Sequence, residues 1–240
     1  MGIIEFLSNL PLLRPLSFQR HPDSFATTRE TLYEKLLEVI QSLIQHHDQP
    51  EDRLLNSSSS PTGSTVFIAA HFPDEFFRLQ SELEQHGIAY QFITRPLDSQ
   101  WFHDNANQNP QVIYLTLAEF LTSTTFSENA VFGSLLNLIV VDRHPEPFRD
   151  AALEQFARDF PATTRMGYFL ALEDRVLHPV VNETTLTVLK QMGIDDQGLV
   201  SSSIISKRIT KVLARKQKQR TAEGTPTDSA EDWFEINGNG

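Results

Sequence analysis

With 240 residues, 40% of them hydrophobic and 17 of them Phe, the chain can bury one substantial core. A formal net charge of −11 argues against sequence-independent nucleic-acid binding by the protein as a whole, which needs net positive surface. Cysteine is absent, which excludes disulfides and thiolate metal sites.

Residues 1–26 are rich in Pro and Leu and read as an irregular lead-in. Glu5 and Pro11 interrupt the apolar start and no basic stretch precedes it, so a secretory signal is not expected. Phe6 stands where myristoylation needs Ser or Thr, and no run has the length of a membrane span. The expectation is a soluble cytoplasmic protein, with membrane contact at most peripheral.

Thr27 and Glu30 have capping-box spacing, and Leu32, Leu36, Ile40 and Leu43 then share one helical face, which predicts a helix ending near His46. Residues 48–63, with Ser57 to Ser60 in a row, read as a flexible loop. Thr65 to Ala70 is a buried strand; Pro73 opens a helix carrying Phe76, Phe77, Leu79 and Leu83, which Gly87 stops. Ile88 to Ile93 is the next strand. A polar Asn-rich loop, Asp98 to Pro110, precedes a third strand at Val112 to Leu115 and a short helix around Ala118 to Leu121.

The apolar run Leu138 to Val141 ends in Asp142, Arg143 and His144; a helical segment comes next, then Gly167 to Leu172, closed by Glu173 and Asp174. Leu186, Leu189 and Met192 mark a helix closed by Gly193, and Ile205, Ile209, Val212 and Leu213 mark another. From Thr221 the composition reads as a disordered acidic tail. Strand–helix alternation over 65–175 predicts an α/β fold with a parallel sheet, the main domain covering 27–180, C-terminal helices 181–220 and the tail 221–240.

Several segments in order resemble the SecA family, the ATPase of the bacterial preprotein translocase, in its second RecA-like (helicase C-terminal-like) nucleotide-binding domain of P-loop NTPase type. These are Arg14 to Gln41, the strand–helix–strand unit from Ser64 to Ile93, LIVVDRHPEPFRDAALEQF with Arg143, His144, Asp150 and Leu153, and YFLALED (Tyr168 to Asp174). The segment from Leu189 to Gln219 is similar to the one that links that domain to the family's long scaffold helix, so the resemblance covers about residues 12–220. It implies a RecA-like sheet flanked by helices.

The family's chemistry is not carried over. No G-x-x-x-x-G-K-[ST] loop occurs, as expected of a chain lacking the first nucleotide-binding domain. Thr116 to Ser123 stands at the position of a Gly-rich segment, without glycine or arginine. The arginine-bearing segment that stabilises the transferring phosphoryl group falls on Ala152 to Ala162, where Phe156 and Asp159 replace the arginines and Pro161 a glycine. Arg158 lies one residue away from one of these positions.

Asp142, Arg143 and His144, with Arg158, therefore carry two readings: a residual ATP or ADP pocket, or an Asp–Arg pair and a His that hold the adjoining loop. Glu173 and Asp174 read as structural, since adjacent strand-end residues face opposite sides. His46-His47-Asp48 and His103-Asp104 lack metal-site spacing, and no metal is expected. The basic cluster Lys207, Arg208, Lys211, Arg215 and Lys216, continued by Lys218 and Arg220, reads as a partner surface or as a solvated helix face. Trp233 and Phe234, among acids, suit a peptide that docks into a groove. The resulting expectation is a catalytically inactive SecA-like domain that binds a protein partner, such as the translocation ATPase or another translocase component, without a cofactor. The alternative is one half of a split motor completed by a second chain.

Overall fold

A computed structural model describes residues 18–45, 64–105, 112–126, 135–218 and 224–237. Its elements are strands β1 (Phe18–Arg20), β2 (Ser24–Ala26), β3 (Ser64–Ala70), β4 (Gln91–Ile93), β5 (Ile113–Leu117), β6 (Leu135–Val141), β7 (Thr164–Ala171) and β8 (Val200–Ser201). The helices are α1 (Arg29–Gln45), α2 (Pro73–Gln85), α3 (Ser99–Asn105), α4 (Ala118–Thr122), α5 (Pro147–Asp159), α6 (Glu183–Gln191), α7 (Ile194–Gln197), α8 (Ser203–Gln217) and α9 (Ala230–Asn237), with a 3-10 turn at Arg175–Leu177.

The expected α/β class is what the chain forms: a mostly parallel sheet between helices. Its order is β4-β5-β3-β6-β7-β2-β8, with β1 also alongside β7. Among the described strands, the β2–β8 pair alone is antiparallel. Period-2 alternation divides each central strand between two cores. Val66, Ile68 and Ala70 face α1 and α2, where Leu32, Leu36, Ile40, Leu79 and Leu83 cover them. Phe67 and Ala69 face the opposite core, built with Leu153, Phe156 and Phe160 around α5 and with Ile205, Ile209 and Leu213 of α8. The C-terminal helices therefore share the core of the sheet.

From β3 the chain crosses through α2 to the outer strand β4, and β5 returns between them. It then passes β3 to β6, and continues through α5 to β7 on the other side. Connections leaving β3 and β6 thus diverge, and the crevice between their carboxyl ends is where such sheets place ligands.

Several local expectations change. Helix α1 is capped by Thr28, whose Oγ1 accepts from the Thr31 N–H at 3.3 Å, and not by Thr27. β1 and β2 lie in the lead-in expected to be irregular, and α3 lies in the polar loop; β4 begins at Gln91, because Ile88 instead ties to Leu83 O in the turn after α2. The expected tail disorder is not met over 224–237, which folds back on the sheet and forms α9. The expected loop 48–63 and residues 1–17 lie outside the described residues.

Candidate functional site

Two strand-to-helix corners build the crevice. β3 runs into His71 and Phe72, with Pro73 opening α2; β6 runs into Asp142, Arg143 and His144, with Pro147 opening α5. Proline suits both first turns because its missing N–H needs no partner there. The apolar strands thus end where polar side chains meet the rim.

Arg143 is only 5% exposed. Its Nη2 donates to both carboxylate oxygens of Asp23, at 2.9 and 2.8 Å, and its Nη1 donates to Asp150 Oδ2 at 2.9 Å. The guanidinium lies over the Tyr168 ring, 3.7 Å from its centroid. Burial alone would lower the Arg143 pKa, but Asp150 and Asp23 outweigh it and hold the proton. Burial likewise favours a neutral Asp150, yet Arg143 keeps that carboxyl ionised and pulls it down to about 2. The strand-end cation is therefore internally neutralised.

His144 stacks on Phe72 with ring centroids 5.2 Å apart and planes 13° apart. The edges of His71 and Trp233 approach at 5.4 and 6.0 Å. The Glu146 N–H donates to His144 Nδ1 at 2.9 Å, which fixes that nitrogen as an acceptor. Burial, then the nearby His71 and Arg149, depress its pKa to about 2, so the ring is neutral. His71 Nε2 lies 2.8 Å from Asp150 Oδ1, close for an ion pair but off the line of a hydrogen bond.

On the other side of the crevice sit buried acids. Asp142 adopts φ 97°, and its Oδ1 accepts from the His71 N–H at 3.3 Å. Its Oδ2 is buried with no partner in the structure. Burial, reinforced by Glu75, raises the Asp142 pKa well above the usual carboxylate range. Glu75 and Asp174 are raised too, chiefly by burial. Arg29 bridges them, 3.2 Å from Glu75 and 3.0 Å from Asp174, and Tyr33 donates to Glu75. Glu173 Oε1 accepts from the Arg29 N–H at 2.8 Å, so Glu173 and Asp174 converge on one residue. They do so because they lie in the turn after β7, where strand alternation has ended.

Residues 224–237 cross the top. Trp233, 3% exposed, packs into the core beside His144, with Phe234 against it. The Gly224 N–H donates to Glu146 Oε1 at 2.6 Å, and the Asp74 N–H to Asp228 O at 3.0 Å. Arg175 donates to Glu231 O at 3.2 Å and lies 5.2 Å from the Phe234 ring centroid. A Cβ at position 224 would sit 2.8 Å from the Trp233 indole nitrogen, so glycine there lets the backbone touch the ring. Beside this segment a cleft of about 360 Å³ remains, lined among others by His71, Phe72, Glu119, Phe148, Arg149 and Trp233.

Of the residues named from sequence, Asp142, Arg143, His144 and Trp233 come together here. Arg158 does not: it lies in the last turn of α5, its guanidinium 4.3 Å from the Phe18 ring. Eleven residues of helix from Pro147 place it roughly 16 Å along the axis from the crevice. Phe156, at a lost arginine position, packs on Phe160 and Phe126, with centroids 5.6 and 5.5 Å apart. Lys207, Arg208, Lys211, Arg215 and Lys216 are exposed along α8. His46, His47, Asp48 and the His103 side chain lie outside the described residues. Among those described, no group of three or more His, Asp or Glu could hold a metal ion, and no helix is long and apolar enough to cross a membrane. Asp23, Arg29, His71 and Glu75, none of them among the site residues named from sequence, complete the site; for Glu75 the local signal is its place in the first turn after Pro73.

No protein-family model matches the sequence, and no curated protein does. Among solved structures, the chain is similar to the crystal structure of the C-terminal part of the Fun30 ATPase domain, with TM-score 0.40 and 14% identity. The match covers 78% of this chain and 54% of that one, so this chain spans about half its length.

Proposed function

We propose that this chain is a binding module that does not hydrolyse nucleotide: a RecA-like, SecA-like domain that engages a protein partner, the translocation ATPase or another translocase component. The observation that carries this reading is the state of Arg143. Both of its terminal nitrogens are taken by buried aspartates, and the crevice above it is closed by the chain's own residues 224–237. A triphosphate entering there would meet Asp142, Glu75 and Asp174, while Arg143 and Arg29 are already engaged by carboxylates, which opposes phosphoryl transfer. The sequence resemblance supports the choice of partner.

The test is a titration with fluorescent ATP and ADP in magnesium, beside a binding measurement against a purified translocation ATPase. No nucleotide binding together with saturable association with the ATPase is expected. Tight ATP binding with turnover overturns the reading, and hydrolysis restored by a chain carrying a phosphate loop would favour the split motor.

A further inference from the structure

Helix α8 carries Lys207, Arg208, Lys211, Arg215 and Lys216 and no acid, in a chain of net charge −11. Arg215 and Lys216 lie in its last turn, where cations complement the helix dipole. Lys207 and Lys211 lie outside that turn, and with Arg215 they form a like-charge ladder at i, i+4 and i+8, which opposes helix formation. Both are exposed, and no described acid pairs with either. Folding does not account for this ladder.

The two lysines flank a groove of about 470 Å³ between α8 and the turn after β1, with His21, Pro22, Thr210 and Ala214 in its walls. Pro22, Ala214 and the carbon stems of its Lys and Arg side chains give it an apolar floor, and among the described residues no Phe, Tyr or Trp lines it. Arg143 contributes to it, and the Arg143 Nε is a buried donor with no acceptor in the structure. Glu154 also lines it and is taken up by Arg20, 3.2 Å away, so Lys207 and Lys211 are left facing the groove without an acid of their own among the described residues. At the head of α8, Ile204 is 76% exposed.

We propose that this groove docks an acidic segment of a partner protein, with carboxylates on Lys207 and Lys211 and an apolar side chain on the aliphatic floor. Charge complementarity selects an acidic occupant. The absence of aromatic platforms disfavours a single-stranded nucleic acid, whose bases gain most of their sequence-tolerant affinity by stacking. The proposal rests on the reading of the chain as a binding module; the groove shares Arg143 with the site beneath the crevice, but the argument uses neither a nucleotide pocket nor the identity of the partner named above.

The test is fluorescence anisotropy on the full chain, with a labelled short peptide of Glu and Leu, the same peptide with Gln for Glu, and a U-rich RNA. Binding of the acidic peptide is expected, weakened by salt, and reduced about tenfold or more in the Lys207→Glu/Lys211→Glu variant. Lys190→Glu, which changes an exposed cation of α6, is expected to leave it unchanged. Circular dichroism checks that each variant is folded. The proposal is overturned by absence of acidic-peptide binding at low salt, by equal binding of the Gln peptide, by equal loss in Lys190→Glu, or by tighter binding of the RNA. Because no ATPase partner is present in this assay, failure here leaves the translocase association to its own measurement.

Discussion

Arg143 and Asp23 stand 120 residues apart and meet as a two-pronged contact, both Asp23 oxygens within 2.9 Å of one guanidinium nitrogen. Asp150 completes the clamp from α5. The lead-in, β6 and α5 are thereby fastened at one point beneath the crevice. Arg143→Ala takes the arginine from buried Asp150 and leaves Asp23 with Arg20 alone, and truncation of a buried pair costs about 3–5 kcal/mol. Urea denaturation is expected to show a loss of that order. Arg143→Lys is expected to recover only part of it, because an ammonium cannot reproduce the forked contact. A variant as stable as the parent would show that the clamp is not structural.

Trp233 governs whether the crevice is open. An eight-residue helix is not stable alone in water, so α9 depends on its docking contacts. Trp233→Ala is expected to release residues 224–237, read as accelerated hydrogen exchange and proteolysis confined to that segment. The central strands stay protected, since β3, β6 and β7 do not need α9 for pairing. Gly224→Ala is expected to act in the same direction through the clash with the indole. Unchanged exchange in both variants would mean that the polar ties alone hold the segment.

The His144 ring makes stability depend on pH. Its folded pKa is depressed to about 2 from 6.5, chiefly by burial among Phe72, His71 and Trp233. Below about pH 6.5 the unfolded chain takes up a proton that the folded ring refuses, so stability is present above that pH and falls as the solution is acidified. Between about pH 7 and pH 5 one such group withdraws about 2 kcal/mol. His144→Phe keeps a flat aromatic surface against Phe72 and is expected to flatten this part of the stability–pH curve. An identical slope in variant and parent would assign the dependence to other groups.

The parts legible from sequence were those with local causes. The apolar runs of β3, β6 and β7, the proline at the head of α2 and the Gly193 stop all act within a few residues. β1 and β2, three residues each, are too short to show a period; they exist because β7 offers them an edge. The strand-end triplet Asp142, Arg143 and His144 stood out, but its chemistry is set by Asp23, Phe72 and Trp233, which only the fold brings there. The acidic, Gly- and Thr-rich segment after Thr221 has the composition of a disordered tail. It folds through long-range contacts, with Glu146 accepting from the Gly224 backbone and Trp233 entering the core.

Asn182 caps α6, its Oδ1 accepting from the N–H and the hydroxyl of Thr185, each at 3.0 Å. Asn182→Ala is expected to cost about 1 kcal/mol in urea denaturation, and Asn182→Asp to retain most of the cap. The cost is local, because Leu189 anchors α6 in the core independently. A loss in Asn182→Asp as large as in Asn182→Ala would argue that the amide nitrogen matters, contrary to the observed donor pattern.

Asp142 tests the acidic side of the crevice. Burial and the neighbouring Glu75 raise its pKa above the unfolded value near 3.8, so the folded state favours the protonated acid. The sign is opposite to that of His144: the favourable contribution is full below about pH 3.8 and is lost as pH rises through the elevated folded pKa. Asp142→Asn fixes the side chain in its neutral form, and its amide oxygen still accepts from the His71 N–H. Asparagine also tolerates the positive φ of 97° better than most residues. The variant is expected to be more stable than the parent at about pH 7, the gain shrinking toward about pH 4. Urea denaturation at both pH values measures it. A variant less stable than the parent at neutral pH would mean that the ionised carboxylate is itself compensated, and that the crevice holds a counter-charge for it.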